Sequence, residues 1–182
     1  MKKILIVSYD GILEPLGYSQ VVEYAMCLSK TNNISIYTLE KKNNINKYSV
    51  VNLHKKLKEY NINWKYIKYN NFKLFQLLNI FFSNIYIFYL IKKNKIDILH
   101  LRSLMPIFLS IFSLFFLKRL KFIYDMRGFW VQEKVDRLGY KENNFILNFM
   151  LKVENYFINQ AHHIFCLTNN AKKIILNKNI KI

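Results

Sequence analysis

The segment 125–133 places acidic, basic and aromatic side chains together, directly after an apolar run. A carboxylate can accept a proton or orient a hydroxyl, and a guanidinium can hold a phosphate or carboxylate through two hydrogen bonds. Aromatic rings stack on the apolar faces of sugars, so these residue types together favour a saccharide ligand. The candidate catalytic residues are Asp125, Arg127 and Glu133, and the candidate substrate-binding residues are Gly128, Phe129 and Trp130. A local Arg127–Glu133 ion pair that pins the loop is the structural alternative.

Two further segments carry candidate substrate-binding residues. Gly17, Tyr18 and Ser19 lie in a loop, where a glycine lets the backbone approach a ligand closely. His100 and Arg102 end an apolar run. Each segment also has a structural interpretation, which stays open: a flexible turn for the loop, and a hydrogen-bonded core residue for the histidine.

These side chains need a framework, and short apolar runs that alternate with helical patterns supply one. Strands are predicted at 3–8, 33–39, 63–69, 96–102, 120–125 and 163–168, and helices at 19–30, 50–60, 72–93, 104–117 and 143–160, with a last helix starting near Asn169. Ser103 is the predicted N-cap of the helix 104–117. Strands separated by helices pair in parallel, so we expect an α/β fold, a Rossmann-like open parallel sheet flanked by helices. Ligands bind outside the carboxyl ends of such strands, where the candidate segments fall.

The composition narrows the class of protein and its setting. With 182 residues, of which 52% are hydrophobic and 21% charged, the chain is expected to form a single domain. Cys27 and Cys166 have neither disulfide-framework nor metal-ligand spacing, so a reducing cytoplasm and no metal site are expected. The first loop lacks the glycine fingerprint of dinucleotide-binding proteins, so no cofactor is expected.

Positive charge is concentrated in one part of the chain. The formal net charge is +17, and residues 41–95 hold twelve lysines against a single acid, Glu59. Such a surface attracts phosphates, nucleic acid or anionic lipid. Nucleic acid is disfavoured as a partner, because arginine usually makes the bidentate contacts and the chain has only four arginines. Two interpretations stay open: a functional basic face, or a codon bias that enriches Ile, Lys and Asn.

Two apolar segments resemble membrane spans in part. Residues 104–117 are too few for the roughly 20 that a spanning helix needs. Residues 74–91 are more numerous, but Lys73, Gln76, Asn79 and Ser83 recur around them as a narrow polar stripe. We therefore expect a core helix, or a helix that lays an apolar face on a bilayer, rather than a span. The predicted location is cytoplasmic, with peripheral attachment to the inner face of the cell membrane and an anionic membrane surface as a partner.

Several segments together resemble a known enzyme family. They are the strand 3–8 with the loop Gly17-Tyr18-Ser19-Gln20, then 97–102, then 125–130, and Glu154 followed by 161–168. In order and spacing, over nearly the whole chain, they resemble the N-terminal, acceptor-side domain of family-four glycosyltransferases with the GT-B fold. The resemblance implies a hexosyltransferase-like enzyme of polysaccharide biosynthesis, which moves a sugar from a nucleotide-sugar donor to a glycan or lipid-linked acceptor. It also implies that the loop 17–19 touches the donor's diphosphate.

The resemblance covers only part of the family's pattern. Many relatives place a histidine where this sequence has Asp125 and Arg127. A GT-B enzyme has two Rossmann-like domains, and the second, which binds most of the nucleotide-sugar, is expected to be missing after Ile182. We therefore expect an acceptor-binding half that is inactive alone. The alternatives are a non-catalytic scaffold or binding subunit of a split glycosyltransferase, and a truncated inactive gene product.

Overall fold

A single parallel sheet lies at the centre of the computed structural model, which describes residues 1–69, 73–138 and 145–177. In chain order its strands are β1 (Lys3–Ser8), β2 (Asn33–Lys41), β3 (Asn63–Tyr69), β4 (Ile98–Arg102), β5 (Lys121–Met126) and β6 (His163–Cys166). Across the sheet the order is β3-β2-β1-β4-β5-β6, and every neighbouring pair is parallel. This confirms the predicted α/β class with an open, Rossmann-like sheet.

Helices connect the strands and cover much of the sheet. They are α1 (Pro15–Gly17), α2 (Glu23–Ser29), α3 (Lys47–Glu59), α4 (Lys73–Asn94), α5 (Met105–Leu109), α6 (Ile111–Phe116), α7 (Trp130–Leu138), α8 (Phe145–Gln160) and α9 (Asn169–Asn177). A π-helical turn, Tyr18–Val22, joins α1 to α2, so the predicted helix 19–30 is not α-helical at its start.

Apolar side chains of the central strands fill two cores, one on each face of the sheet, because successive residues point to opposite sides. Leu5 of β1 belongs to the core that includes Ile87 of α4, on what we call the α4 face. Ile6 belongs to the core that includes Val22 and Leu57, on what we call the α2 face. Burial on both faces explains why β1 is a continuous apolar run in the sequence.

The predicted helix 104–117 is wrong as a single element. It consists of α5 and α6, separated at Ser110, whose φ of −121° and ψ of 8° interrupt the helical backbone. Ser103 is not an N-cap either. Its φ of 75° lies in the left-handed region, and its N–H donates to the Asp125 carbonyl at 2.8 Å, which ties the end of β4 to β5. Leu104 precedes α5, whose start has no side-chain cap.

Other predicted boundaries shift by a few residues. Strand β3 matches the prediction, whereas β4 begins two residues later than predicted and β6 ends two residues earlier. Thr168, predicted at the end of β6, instead accepts a hydrogen bond from the Ala171 N–H at the start of α9, at 3.1 Å. Helix α7 was not predicted at all. The first residues of the predicted helices 72–93 and 143–160 lie outside the described residues.

Helix α4 buries two polar side chains and exposes many of its large apolar ones. Ser83 and Asn84 are buried. The Ser83 hydroxyl lies 2.9 Å from that of Tyr37, and Asn84 donates to the Phe108 carbonyl at 2.7 Å. The exposed side chains are Phe75, Leu77, Leu78, Phe81, Phe82, Ile85, Tyr86 and Tyr89. Of the predicted polar stripe, Ser83 therefore faces the protein, whereas Gln76 and Asn79 are half-buried. Residues 75–94 are long and apolar enough to cross a membrane, although core helices often share that length and composition.

Candidate functional site

Three polar side chains form a row at the carboxyl ends of neighbouring strands. Ser8 of β1 pairs with Arg102 of β4, which pairs in turn with Asp125 of β5. Residues in register on parallel strands point to the same face of the sheet, so all three lie on the α2 face. His100, two residues before Arg102, lies on that face as well. We call Ser8, Arg102 and Asp125 the polar row.

Asp125 is the centre of a cluster of basic groups. Its Oδ2 lies 3.7 Å from His100 Nε2 and 3.9 Å from Arg102 Nε, and its Oδ1 lies 3.6 Å from Arg127 Nη1. The structure therefore brings together four of the predicted site residues. The structural alternative of an Arg127–Glu133 ion pair does not occur among the described residues, where Arg127 pairs with Asp125.

The cluster sets the protonation state of Asp125. Burial acts to raise the pKa of this carboxyl, but the neighbouring imidazole of His100 and the guanidiniums of Arg127 and Arg102 outweigh it and hold the pKa below its ordinary value. Asp125 is therefore a carboxylate at neutral pH. A general base works best with a pKa near the working pH, so this carboxylate is better suited to orienting a hydroxyl than to removing its proton.

Arg102 is buried, with only 5% of its surface exposed. Its Nη2 donates to Gln20 Oε1, from the turn before α2. Its Nε and Nη1 have no hydrogen-bond partner among the described residues, and the same is true of the Ser8 hydroxyl. Leaving a buried donor unsatisfied costs about 1–3 kcal/mol, so this end of the polar row is destabilising as it stands.

Close backbone packing holds the first loop against the sheet. A Cβ on Gly17 would overlap the Gly11 carbonyl, and a Cβ on Gly11 would overlap the Glu40 carboxylate. Glu40 is fully buried and accepts hydrogen bonds from the N–H groups of Ile12, at 2.8 Å, and Leu13, at 3.3 Å. The loop is therefore fixed by glycine contacts and a buried carboxylate, rather than being a free turn.

The loop's other predicted residues turn away from the polar row. Tyr18 accepts a hydrogen bond from Lys56 Nζ on α3, which also lies over its ring. Ser19 is exposed and donates to the Leu16 carbonyl at 3.2 Å. The loop residue that reaches the row is Gln20, through Arg102.

Gly128 and Glu133 meet at the start of α7. The Glu133 carboxylate lies against the Gly128 α-carbon, where any Cβ would overlap it. Glu133 is exposed, and its N–H donates to the Phe129 carbonyl at 2.9 Å in the first helical turn. Phe129 and Trp130 are partly buried and pack against the core of the α4 face. The 125–133 segment therefore divides, with Asp125 on the α2 face and its aromatic rings toward the opposite core.

A buried glutamate of α8 contacts β5, the strand that carries Asp125. Glu154 of α8 accepts a hydrogen bond from the Tyr124 hydroxyl at 2.6 Å, and both side chains are buried. Together with Met126 and Phe129 it lines a pocket of about 280 Å³ between α7, α8 and α9. Its contact with the strand that carries Asp125 makes it a positioning residue for that strand.

Sequence reasoning missed two contributors to the site. Glu40 ends the apolar run of β2 as an acid, the same signal that drew attention to Asp125. Tyr24 packs its ring edge-on against His100, with centroids 5.4 Å apart, and only the folded structure brings α2 to β4. Among residues 1–69, 73–138 and 145–177, no group of three or more His, Cys, Asp or Glu side chains is arranged to hold a metal ion.

Residues 43–181 match the family model described as Glycosyltransferase Family 4. This chain belongs to that family. No curated protein matches the sequence significantly. The resemblance seen in the sequence is thereby confirmed, and the matched region includes β4, β5 and the acid–base cluster that they carry.

Solved structures agree with the family assignment at the level of fold. A sucrose-phosphate synthase from Thermosynechococcus elongatus superimposes with a TM-score of 0.62 at 11% identity, over 100% of this chain and 46% of that one. A protein described as a UDP-N-acetylglucosamine 2-epimerase from Listeria monocytogenes gives 0.61 at 12% identity, over 100% and 43%. A glycosyltransferase from Rickettsia africae gives 0.50 at 18% identity, over 100% and 50%.

The family-4 chain thus spans half, or a little less, of the length of these solved chains. Its six-stranded sheet corresponds to the N-terminal half of their GT-B fold. Identities this low establish the fold and leave the residues of the polar row to be judged by their own geometry.

Proposed function

We propose that this chain is the acceptor-binding half of a glycosyltransferase, which moves a sugar from a nucleotide-sugar to a glycan or lipid-linked acceptor. The observation that best supports the proposal is the polar row with Arg127, at the carboxyl edge of a parallel sheet, in a family-4 chain. Open α/β sheets bind their ligands at this edge. A second domain or a partner chain would hold most of the nucleotide-sugar, so we expect no activity from this chain alone.

Each residue of the cluster has a role that suits its geometry. Asp125, held ionised by its neighbours, orients an acceptor hydroxyl. Arg127, on the same carboxylate and partly exposed, offers its remaining N–H groups to a phosphate or carboxylate of the substrate. Its positive charge also stabilises the diphosphate as it departs, the kind of electrostatic effect that supplies much of the rate enhancement in such reactions.

The edge of the site is suited to sugar rings and hydroxyls. Glu133 is exposed beside Gly128, where its carboxylate can accept hydrogen bonds from sugar hydroxyls. Phe129 and Trp130 keep part of their surface exposed at the start of α7, and we propose that this part meets the acceptor. The loop at Gly17–Ser19 contributes the backbone that faces the donor.

We propose further that α4 attaches the protein peripherally to an anionic bilayer. Its exposed aromatic and aliphatic side chains line a groove of about 520 Å³ with Lys65 of the edge strand β3. Lys92 and Lys93 follow at the end of the helix, each over an aromatic ring. In this arrangement the apolar side chains would contact the acyl chains of a bilayer, and the neighbouring lysines would contact its phosphates. The protein would then lie on the membrane that holds a lipid-linked acceptor.

Acceptor binding can be measured without any donor. The purified chain, Arg127→Ala, and Arg119→Ala as a control at the amino edge of the sheet would be compared on immobilised glycans and short isoprenyl-diphosphate-linked sugars. We expect saccharide binding by the first and third, and binding weaker by about tenfold or more for Arg127→Ala, since a charge-assisted bond is lost. Equal binding by all three proteins, or binding by none, would count against the proposed function.

A further inference from the structure

The strongest unexplained feature of the molecule is the set of unused donors around Arg102. Arg102 is 5% exposed, yet among its nitrogens only Nη2 has a hydrogen-bond partner among the described residues. Nε and Nη1 carry three N–H bonds between them. The neighbouring hydroxyl of Ser8, in register with Arg102 and also fully buried, likewise has no partner.

Unused donors are not a general property of this part of the sheet. Thr38 pairs with Ser8 on the other side, at the same level of the sheet. Its hydroxyl donates to Glu40 at 2.6 Å and accepts from the Trp64 indole at 2.9 Å. Hydrogen bonding at this level of the sheet is therefore complete at Thr38 and incomplete at Ser8 and Arg102, next to the proposed acceptor site.

Nearby acids compensate the positive charge of Arg102 only in part. Asp125 is its nearest acid, 3.9 Å from Nε, but Arg127 pairs with the same carboxylate. Asp10 attracts Arg102 from farther away without forming an ion pair with it among the described residues. Burial, followed by the charge of Arg127, lowers the pKa of Arg102, which shows that its surroundings as they stand do not favour the cation.

We propose that Arg102, with Ser8 and Arg127, forms a binding site for a phosphate group of the substrate. The inference rests on the proposed function, because it places that phosphate at the same strand edge as the acceptor. Nη1, whose two N–H bonds are unused, can donate to one phosphate oxygen, and the Ser8 hydroxyl can donate to a second. The guanidinium of Arg127 adds a further positive charge at the same strand edge. The phosphate comes either from the donor's diphosphate or from a lipid-linked acceptor.

The test uses the chain as it is, with no turnover required. Binding of inorganic pyrophosphate, a nucleoside diphosphate, a short isoprenyl phosphate and acetate would be titrated by calorimetry at constant ionic strength. Constant ionic strength is needed because the net charge of +17 attracts any anion. Arg102→Gln is compared with Arg119→Gln, which removes the same charge at the opposite end of the sheet.

We expect pyrophosphate to bind the wild type and Arg119→Gln alike, and Arg102→Gln weaker by about tenfold or more. Ser8→Ala, which removes only a hydroxyl, should weaken binding in the same direction and guards against misfolding of the arginine variant. Melting curves of Arg102→Gln without ligand show whether this variant stays folded, since it removes one basic neighbour of Asp125 together with a buried charge. Preference for the nucleoside diphosphate assigns the site to the donor, and preference for the isoprenyl phosphate assigns it to the acceptor.

Equal pyrophosphate affinity in wild type and Arg102→Gln would overturn the inference, as would acetate binding as tight as that of the phosphates. If saccharides still bind through Arg127 in that case, the proposed function survives and only the phosphate site is lost. If phosphates bind through Arg102 but no saccharide binds, the proposed function is the part that fails.

Discussion

Asp125 is the residue on which the electrostatics of the site converge. Three basic side chains lie within 4 Å of its carboxylate. Their combined effect keeps it ionised in spite of its burial. A carboxylate held in this way organises the guanidiniums around it, so its loss should affect both stability and substrate binding.

The lowered pKa of Asp125 predicts that the stability difference between the wild type and Asp125→Asn depends on pH in the acid range. A carboxyl whose pKa is lower in the folded than in the unfolded state stabilises the protein above its ordinary pKa of about 3.9 and loses that contribution as the pH falls. Urea unfolding of the wild type and Asp125→Asn, measured from pH 6 to pH 3, should show their difference in unfolding free energy shrinking toward pH 3. Glu40, whose pKa burial raises, acts in the opposite direction but is common to both proteins.

A difference between the two proteins that stays constant over this pH range would show that Asp125 does not gain from its basic neighbours. In that case the polar row would be held by packing alone.

Arg127 and Glu133 are predicted to serve the ligand rather than the fold. In a complete or reconstituted enzyme, Arg127→Ala and Glu133→Ala should each lower activity by about tenfold or more, the loss of one charge-assisted hydrogen bond. Both side chains are at least partly exposed and do not pair with each other among the described residues, so melting temperatures should change little. Full specific activity with a clearly lower melting temperature in both variants would make them structural.

Helix α4 combines buried polar groups with an exposed apolar surface. The sequence predicts a narrow polar stripe that includes Ser83. In the structure Ser83 contacts Tyr37 of β2, its neighbour Asn84 bonds to α5, and many aromatic side chains of the helix are exposed. Buried polar groups that find partners stabilise a specific docking of the helix, whereas an exposed apolar face needs another surface to cover it.

That face predicts salt-sensitive binding to anionic vesicles. The chain should sediment with vesicles that contain anionic lipid and less with neutral ones. High salt should release it, because each lysine contributes about 1 kcal/mol that is screened beyond a Debye length of ~8–10 Å. Phe82→Ser and Lys92→Gln/Lys93→Gln should each weaken sedimentation. Phe145→Ser, which removes an aromatic side chain that is 84% exposed on α8, is the matched control.

Absence of the chain from both kinds of vesicle at low salt would leave the lysines as a codon bias. Binding that survives high salt and is released only by detergent would instead favour a membrane-spanning α4, which its length and composition permit.

In the part of the chain that the structure describes, all six strands belong to one parallel sheet. The candidate residues line one edge of a single Rossmann-like unit, and the solved chains of similar fold are about twice as long. We therefore expect the purified 182-residue chain to show neither sugar transfer nor hydrolysis of nucleotide-sugars. An assay of several nucleotide-sugars with glycan and lipid-linked acceptors checks this, and robust turnover by the chain alone would contradict the half-enzyme proposal.

The amino-acid sequence alone determined the fold class and most of the strands. Continuous apolar runs such as 3–8 are typical of strands buried on both faces, and that periodicity is local information. Predictions that depend on contacts between distant segments were wrong for the same reason, because sequence periodicity contains only local information. Ser103 has the residue type of an N-cap, but its backbone is held in the left-handed region by a hydrogen bond to β5, which no nearby residue reveals.

The folded structure was needed to show which candidate residues come together. The sequence predicted Asp125, Arg127, His100 and Arg102 as separate candidates on two strands, and the parallel register of β4 and β5 brings them around one carboxylate. It also decided which donors stay unused. Arg102 meets Gln20 from a distant segment through Nη2, while its Nε and Nη1 and the Ser8 hydroxyl find no partner among the described residues. Hydrogen-bond satisfaction is a property of three-dimensional neighbours, and so the phosphate site proposed for this chain became visible only in the folded structure.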